Sequence, residues 1–338
     1  MRKILIILLI ITFTQILNST QTYEQDQEDK IIIFTSIGTF TRIVKDICQD
    51  RAEVYSIMPE GAEPHQFQLT PKIIDKLREA SLLVLTGHLE FEENLIRELK
   101  IPYTTLTDYQ KHGLTLLKIP SSGTNIHGYW LSPTNALAIA TTITEKLQEI
   151  DRKNAEYYQE RLNEFKENIK QLLTNLNQTI IKNNNLNWIK VMIAFPAAQY
   201  IATTLQMKII EFLSRGGGTL IGSKKLKEIE EKLMRKEIEY IIMPDVSINT
   251  QIGEYVIQLS KDTNTPIIIT KTIGGEEFNS YIDFTYYNIG LVIGAITTTN
   301  QSETQENPAI NSLTILLIII ILTLAVIATI ESWIILGR

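Results

Sequence analysis

The sequence is sparing with the residues from which covalent and charge-driven sites are built. Cys48 is its only cysteine, which excludes an intrachain disulfide, a four-thiolate zinc site and a CxxC redox pair. Histidine occurs four times, at His65, His88, His112 and His127, so any imidazole chemistry must draw on those four. Basic residues are scattered and the net charge is −6, which leaves no electrostatic footprint for nucleic acid. The glycine-rich stretch 215–224 has Ser223 where a phosphate loop needs lysine, and it reads as a surface turn. With no Ser/His/Asp set either, nothing in the chain predicts an enzyme.

Both ends speak to a membrane. Residues 1–21 open on Met1-Arg2-Lys3, continue through an apolar run and end polar, the layout of a signal peptide or a retained anchor. The apolar run 313–330, about 18 residues, is long enough to span a bilayer. Glu331 and Trp333 near its end suit an interfacial position, so we assign a transmembrane helix to 313–336. No lysine or arginine lies between Lys271 and Arg338. The positive charge beyond the span therefore predicts a cytoplasmic C-terminus and an extracytoplasmic body anchored at the cell surface. Residues 297–312 are polar and aperiodic, and are expected to form a flexible tether.

The body alternates between strand and helix patterns. Residues 30–36 form a β-branched apolar run suited to a strand buried on both faces. A helix at 39–49, a strand at 54–58, a helix at 72–80, a strand at 82–86 and a helix at 91–99 follow, the signature of βαβ units. Residues 134–150 carry helical apolar spacing, and Asp151 reads as the N-cap of a longer helix running to about residue 180. At 1.5 Å per residue that helix spans on the order of 45 Å, more than one small domain needs. A second alternating set fills 188–296, with 246–263 as one helical segment and 281–296 as the last helix. The expected fold class is α/β: two parallel-sheet lobes, 30–151 and 188–296, joined by one long rigid helix at 152–182.

Two loops carry candidate ligands. Residues 59–71, punctuated by Gly61, Pro64 and Pro71, link a strand to a helix, and open α/β sheets bind ligands beyond the carboxyl ends of their strands. His65 lies between those prolines. His127 lies in a second such loop, 125–135. If both loops close one cleft, the two imidazoles converge on one ion; completed by carboxylates they suit zinc, and with more oxygens manganese. His88, at a strand end, could line the cleft, but reads first as a hydrogen-bonded structural residue, and His112 reads as a surface loop.

Several segments add a resemblance. They are Gly61-x-x-Pro64-His65, 87–95 after a strand, His127 followed by Trp130-Leu-x-Pro-x-Asn135-Ala, Asp151-x-x-Asn154-Ala-x-Tyr-Tyr158, and Ser280-Tyr281 with Asn288. With them, residues from about 31 to 296 resemble the solute-binding proteins of zinc/manganese ABC importers. The resemblance implies two α/β lobes on a long helix with the metal clamped between them by four ligands. The first falls on His65 and the second on His127, although one extra residue separates it from Trp130. The third falls on Phe195 and the fourth near Lys271, neither of which can ligate a cation. Glu276, Glu277 and Asp245 are the carboxylates from which the site would be rebuilt. The function implied is capture of zinc or manganese by a monomeric, membrane-anchored receptor that hands it to a permease with a separate ATPase. The alternative is a degenerate member serving as an adhesin or binding another solute.

Overall fold

The computed structural model describes residues 30–64, 67–120, 122–182, 186–216, 220–275 and 277–305, and the structural statements below refer to these. The chain folds as two compact units. One comprises the described residues of Met1–Asn184 together with Thr272–Phe284, the other those of Asn185–Lys271 and Thr285–Arg338.

In the first unit, β1 (Ile31–Thr35) and α1 (Gly38–Cys48) lead into β2 (Ala52–Ser56), α2 (Pro71–Leu77), β3 (Leu82–Val84), α3 (Glu90–Leu99), β4 (Tyr103–Thr104) and α4 (Leu106–Lys111). The strands form one parallel sheet in the order β2-β1-β3-β4. β1 and β3 lie inside it, and Ile33, Leu82, Leu83 and Val84 are fully buried, as continuous apolar runs require of parallel strands covered on both faces. Helix α2 starts where the sequence provides both a cap and a φ-restricted first residue: Thr70 Oγ1 accepts the Ile73 amide, and Pro71 occupies the first turn. A short antiparallel pair, β5 (Lys118–Ile119) and β6 (Gly123–Thr124), precedes α5 (Pro133–Ile150).

Helix α6 (Ala155–Lys182) has 28 residues, about 42 Å at the α-helical rise. Its buried positions Tyr158, Leu162, Phe165, Ile169, Leu172 and Leu176 recur at alternating spacings of four and three, forming one apolar stripe. α6 packs along α5 and α1. Asp151 does not cap α6 as expected. A 3-10 turn, Arg152–Asn154, intervenes, and the Asp151 carboxylate is taken instead by the Tyr158 hydroxyl at 2.5 Å and Asn154 Nδ2 at 2.8 Å. Those two side-chain donors outcompete the backbone amides it was expected to cap.

The second unit repeats the plan with β7 (Lys190–Ile193), α7 (Ala198–Thr204), β8 (Lys208–Phe212), α8 (Ser223–Met234), β9 (Tyr240–Pro244), α9 (Gln251–Thr263), β10 (Ile267–Thr270) and α10 (Tyr281–Gln305). Its strands are parallel in the order β10-β9-β7-β8. Numbered from its own first strand, this sheet has the same 2-1-3-4 order as the first. The expected α/β class with parallel sheets in two lobes is thus the architecture that forms.

Helix α10 runs through Gln305 and takes in the first part of 297–312, expected to be a tether. Neither proline nor glycine occurs between Thr297 and Gln305, and the Thr297 and Thr298 hydroxyls bond to the carbonyls of Ile293 and Gly294 at 2.8 Å each. The polar side chains are thereby accommodated along the helix without breaking it. No described helix is long and apolar enough to cross a membrane. The leader 1–21 and the apolar segment 313–336 lie outside the described residues.

Candidate metal centre

In a sheet ordered 2-1-3-4, the chain leaves the first and third strands toward opposite sides, opening a crevice at their carboxyl ends. In the first unit those ends belong to β1 and β3. The segment after β3, Thr86-Gly87-His88-Leu89, is fixed by a buried carboxylate. Glu92, 1% exposed, accepts from the Thr86 amide at 2.7 Å and the Thr86 hydroxyl at 2.8 Å. It also accepts from the amides of His88 and Leu89 at 3.0 and 3.1 Å and from the Ser36 hydroxyl after β1. A polar group taken out of water is tolerated only when its hydrogen-bonding capacity is filled in this way. Gly87 makes the turn possible: its φ is +75°, and a Cβ there would come within 2.9 Å of the Leu106 amide nitrogen.

His127 arrives from a second locked segment. Its amide donates to Asn125 Oδ1 at 3.0 Å, and Asn125 is fully buried. Gly128 at φ 77° turns the chain into the 3-10 turn Tyr129–Leu131. Asn135 holds that turn, its Nδ2 donating to the carbonyls of Tyr129 at 3.0 Å and Thr115 at 2.9 Å. The Trp130 indole donates to the Thr272 carbonyl at 2.7 Å, the Tyr281 hydroxyl to the Trp130 carbonyl at 2.8 Å, and the Tyr129 hydroxyl to the Thr86 carbonyl at 2.7 Å. The sequence motif around Trp130 and Asn135 is therefore the frame that presents His127.

These two segments bring His88 and His127 together. Their ring centroids are 5.3 Å apart with the planes at 85°, and His88 also stacks on Trp130 at 5.7 Å and 20°. Both histidines are half-buried. Sequence reasoning gave His88 a structural role and did not pair it with His127. The signal available was its position directly after a strand, ahead of a helix whose third residue is Glu92. His112, expected on a surface loop, ends α4 with Nε2 3.0 Å from Glu145 Oε2.

His65 and Glu276 lie outside the described residues. Glu277 is exposed in the first unit. In the second unit the corresponding crevice lies beyond β7 and β9; Phe195 comes two residues after β7 and Asp245 directly after β9. Phe195 is half-buried against the core cluster that includes Met192, Leu213 and Ile241, as an apolar ring at a strand end would be. Lys271 follows β10, its main chain clamped by Asn288: the Lys271 amide donates to Oδ1 at 2.8 Å and Nδ2 donates to its carbonyl at 3.0 Å. Among the described residues no group of three His, Cys, Asp or Glu side chains is gathered around one point.

Residues 33–292 match the sequence profile of the family described as "Zinc-uptake complex component A periplasmic". The manganese ABC transporter substrate-binding lipoprotein PsaA of Streptococcus pneumoniae is 24% identical over 291 residues, which is 80% of this chain and 90% of the relative. The iron-binding protein YfeA of Yersinia pestis is 34% identical over 173 residues, 48% of this chain and 54% of the relative. Among solved structures, the solute-binding protein FpvC of Pseudomonas aeruginosa in complex with Mn2+ superposes with a TM-score of 0.66 at 19% identity, covering 80% of this chain and 100% of that one. At that identity the likeness is one of fold. These relatives are named as binding proteins, not as enzymes.

Proposed function

The chain belongs to the family of periplasmic zinc-uptake component A proteins, and from that premise we propose that it captures a divalent metal ion, zinc or manganese, outside the cytoplasm and delivers it to an ABC permease driven by a separate ATPase. The observation that supports this most is the presentation of His127. Its loop is fixed by buried Asn125 and by the Trp130–Thr272 and Tyr281–Trp130 hydrogen bonds, the kind of preorganised surround that holds a ligand ring in place. In this reading His65 and His127 are ligands, and Glu276, Glu277 or Asp245 supplies the carboxylate that Phe195 and Lys271 cannot. The leader 1–21 and a membrane helix at 313–336 keep the body at the cell surface, with α6 linking the lobes.

The test is metal analysis of the purified full-length chain after dialysis against zinc or manganese. About one ion per chain is expected, since the ligands form a single site, with loss of that ion in the double variant His65→Ala, His127→Ala. A second reading, a family member that has given up metal and serves as an adhesin, is favoured by Phe195 packing into its core. A chain that retains no metal above the double variant would overturn the first reading.

A further inference from the structure

We propose that His88 is a metal ligand alongside His127, giving the first unit a nitrogen-rich binding edge; the inference rests on the receptor reading above. The geometry of the pair carries it. A zinc–nitrogen bond of about 2.0–2.1 Å plus a ring radius of about 1.1 Å puts each ligating imidazole centroid about 3.2 Å from the metal. Two such rings at the tetrahedral angle then have centroids about 5.2 Å apart. His88 and His127 stand at 5.3 Å. Their planes, at 85°, share a line, and an ion on that line lies in both ring planes, as coordination through an in-plane lone pair requires.

The surroundings of His88 are consistent with that role. Trp130 stacks on the face of its ring, and a metal ligand bonds through the ring edge rather than the face. Trp130 itself is held, edge-on to Phe40 at 5.9 Å and through its indole to the Thr272 carbonyl. The backbone of His88 is anchored by the buried Glu92 carboxylate. A side chain fixed at backbone and ring face loses little freedom when it takes a metal. Imidazole donors also suit zinc better than manganese, which favours oxygen, so the pair biases the site toward zinc.

The test uses the full-length chain with Zn2+ and Co2+ as probes. X-ray absorption of the zinc-loaded protein counts imidazole ligands, and competition with a chelator gives affinity. His88→Gln is expected to remove one imidazole from the count and weaken zinc binding by at least about tenfold, whereas His112→Gln changes neither. His88→Cys gives a second measurement that does not depend on retained affinity: loaded with Co2+, it is expected to show a thiolate-to-cobalt charge-transfer band that the natural chain lacks. An unchanged imidazole count in His88→Gln, with no such band in His88→Cys, reduces the pair to a ring contact and overturns the proposal while the receptor reading stands. A natural chain that binds neither Zn2+ nor Co2+ overturns this proposal, and one that also binds no manganese overturns the receptor reading with it.

Discussion

Asp46 shows how one side chain ties stability to pH. Its carboxylate accepts the amide of Tyr281, the first residue of α10, at 2.9 Å, where the helix dipole favours a negative charge. Burial nevertheless outweighs that amide and the charges of Arg161 and Arg42, and pushes its pKa up to about 7 from 3.8. The folded state therefore holds a proton between about pH 4 and 7 that the unfolded state has released, so stability from this group is greatest at the acid end and falls as pH rises toward 7. Asp46→Asn is expected to flatten that slope, read as the pH dependence of the urea midpoint; an unchanged slope would refute the assignment. Gly87→Ala belongs to the same scale. At φ +75° and 2.9 Å from the Leu106 nitrogen it is expected to cost about 1–3 kcal/mol by chemical denaturation. Single residues were unevenly legible beforehand. Trp130, Asn135, Tyr281 and Asn288 were legible through the family resemblance, and in the structure the side chain of each bonds to the backbone. The pairing of His88 with His127 joins two distant loops, and no local pattern encodes it.

At the scale of elements, strands announced themselves where β-branched runs are long, as in Ile31–Thr35 and Tyr240–Pro244. The two-residue strands β4, β5 and β6 gave no signal, because they exist through their pairing rather than their composition. Residues 246–263, read as one helical segment, divide into a 3-10 turn, Asp245–Ser247, and α9. Thr250 makes the break: its backbone is extended, its Oγ1 accepts the Gly253 amide at 3.1 Å and its hydroxyl donates to the Ser247 carbonyl at 2.8 Å. The joint closes only over glycine, since a Cβ at Gly253 would lie 2.0 Å from the Ser247 oxygen and 2.6 Å from that of Ile248. Gly253→Ala is therefore expected to destabilise the second unit by about 1–3 kcal/mol. A denaturation midpoint equal to that of the natural chain would show that the joint can open without cost.

Across the whole molecule, the same 2-1-3-4 parallel order appears twice, yet the chain is not a simple succession of two halves, because Thr272–Phe284 returns to the first unit. That return supplies acceptors for donors fixed in the first 184 residues. Ile273 O takes the Thr39 amide and hydroxyl at 3.0 and 3.1 Å, Thr272 O the Trp130 indole at 2.7 Å, and Phe278 O the Arg42 guanidinium at 2.6 Å. Tyr281 adds a fully buried ring packed 6.0 Å from that of Phe165. Each buried donor left without an acceptor costs about 1–3 kcal/mol, so stranding these four approaches the 5–15 kcal/mol that typically holds a domain together. A chain ending at residue 184 is accordingly expected to lose its near-ultraviolet circular dichroism and its cooperative thermal transition while keeping helical far-ultraviolet signal. Appending residues 272–284 through a flexible linker should restore both. A truncated chain that melts cooperatively within a few degrees of the full-length protein would mean that the first unit closes its own hydrogen bonds, and that the returning segment serves the second unit instead.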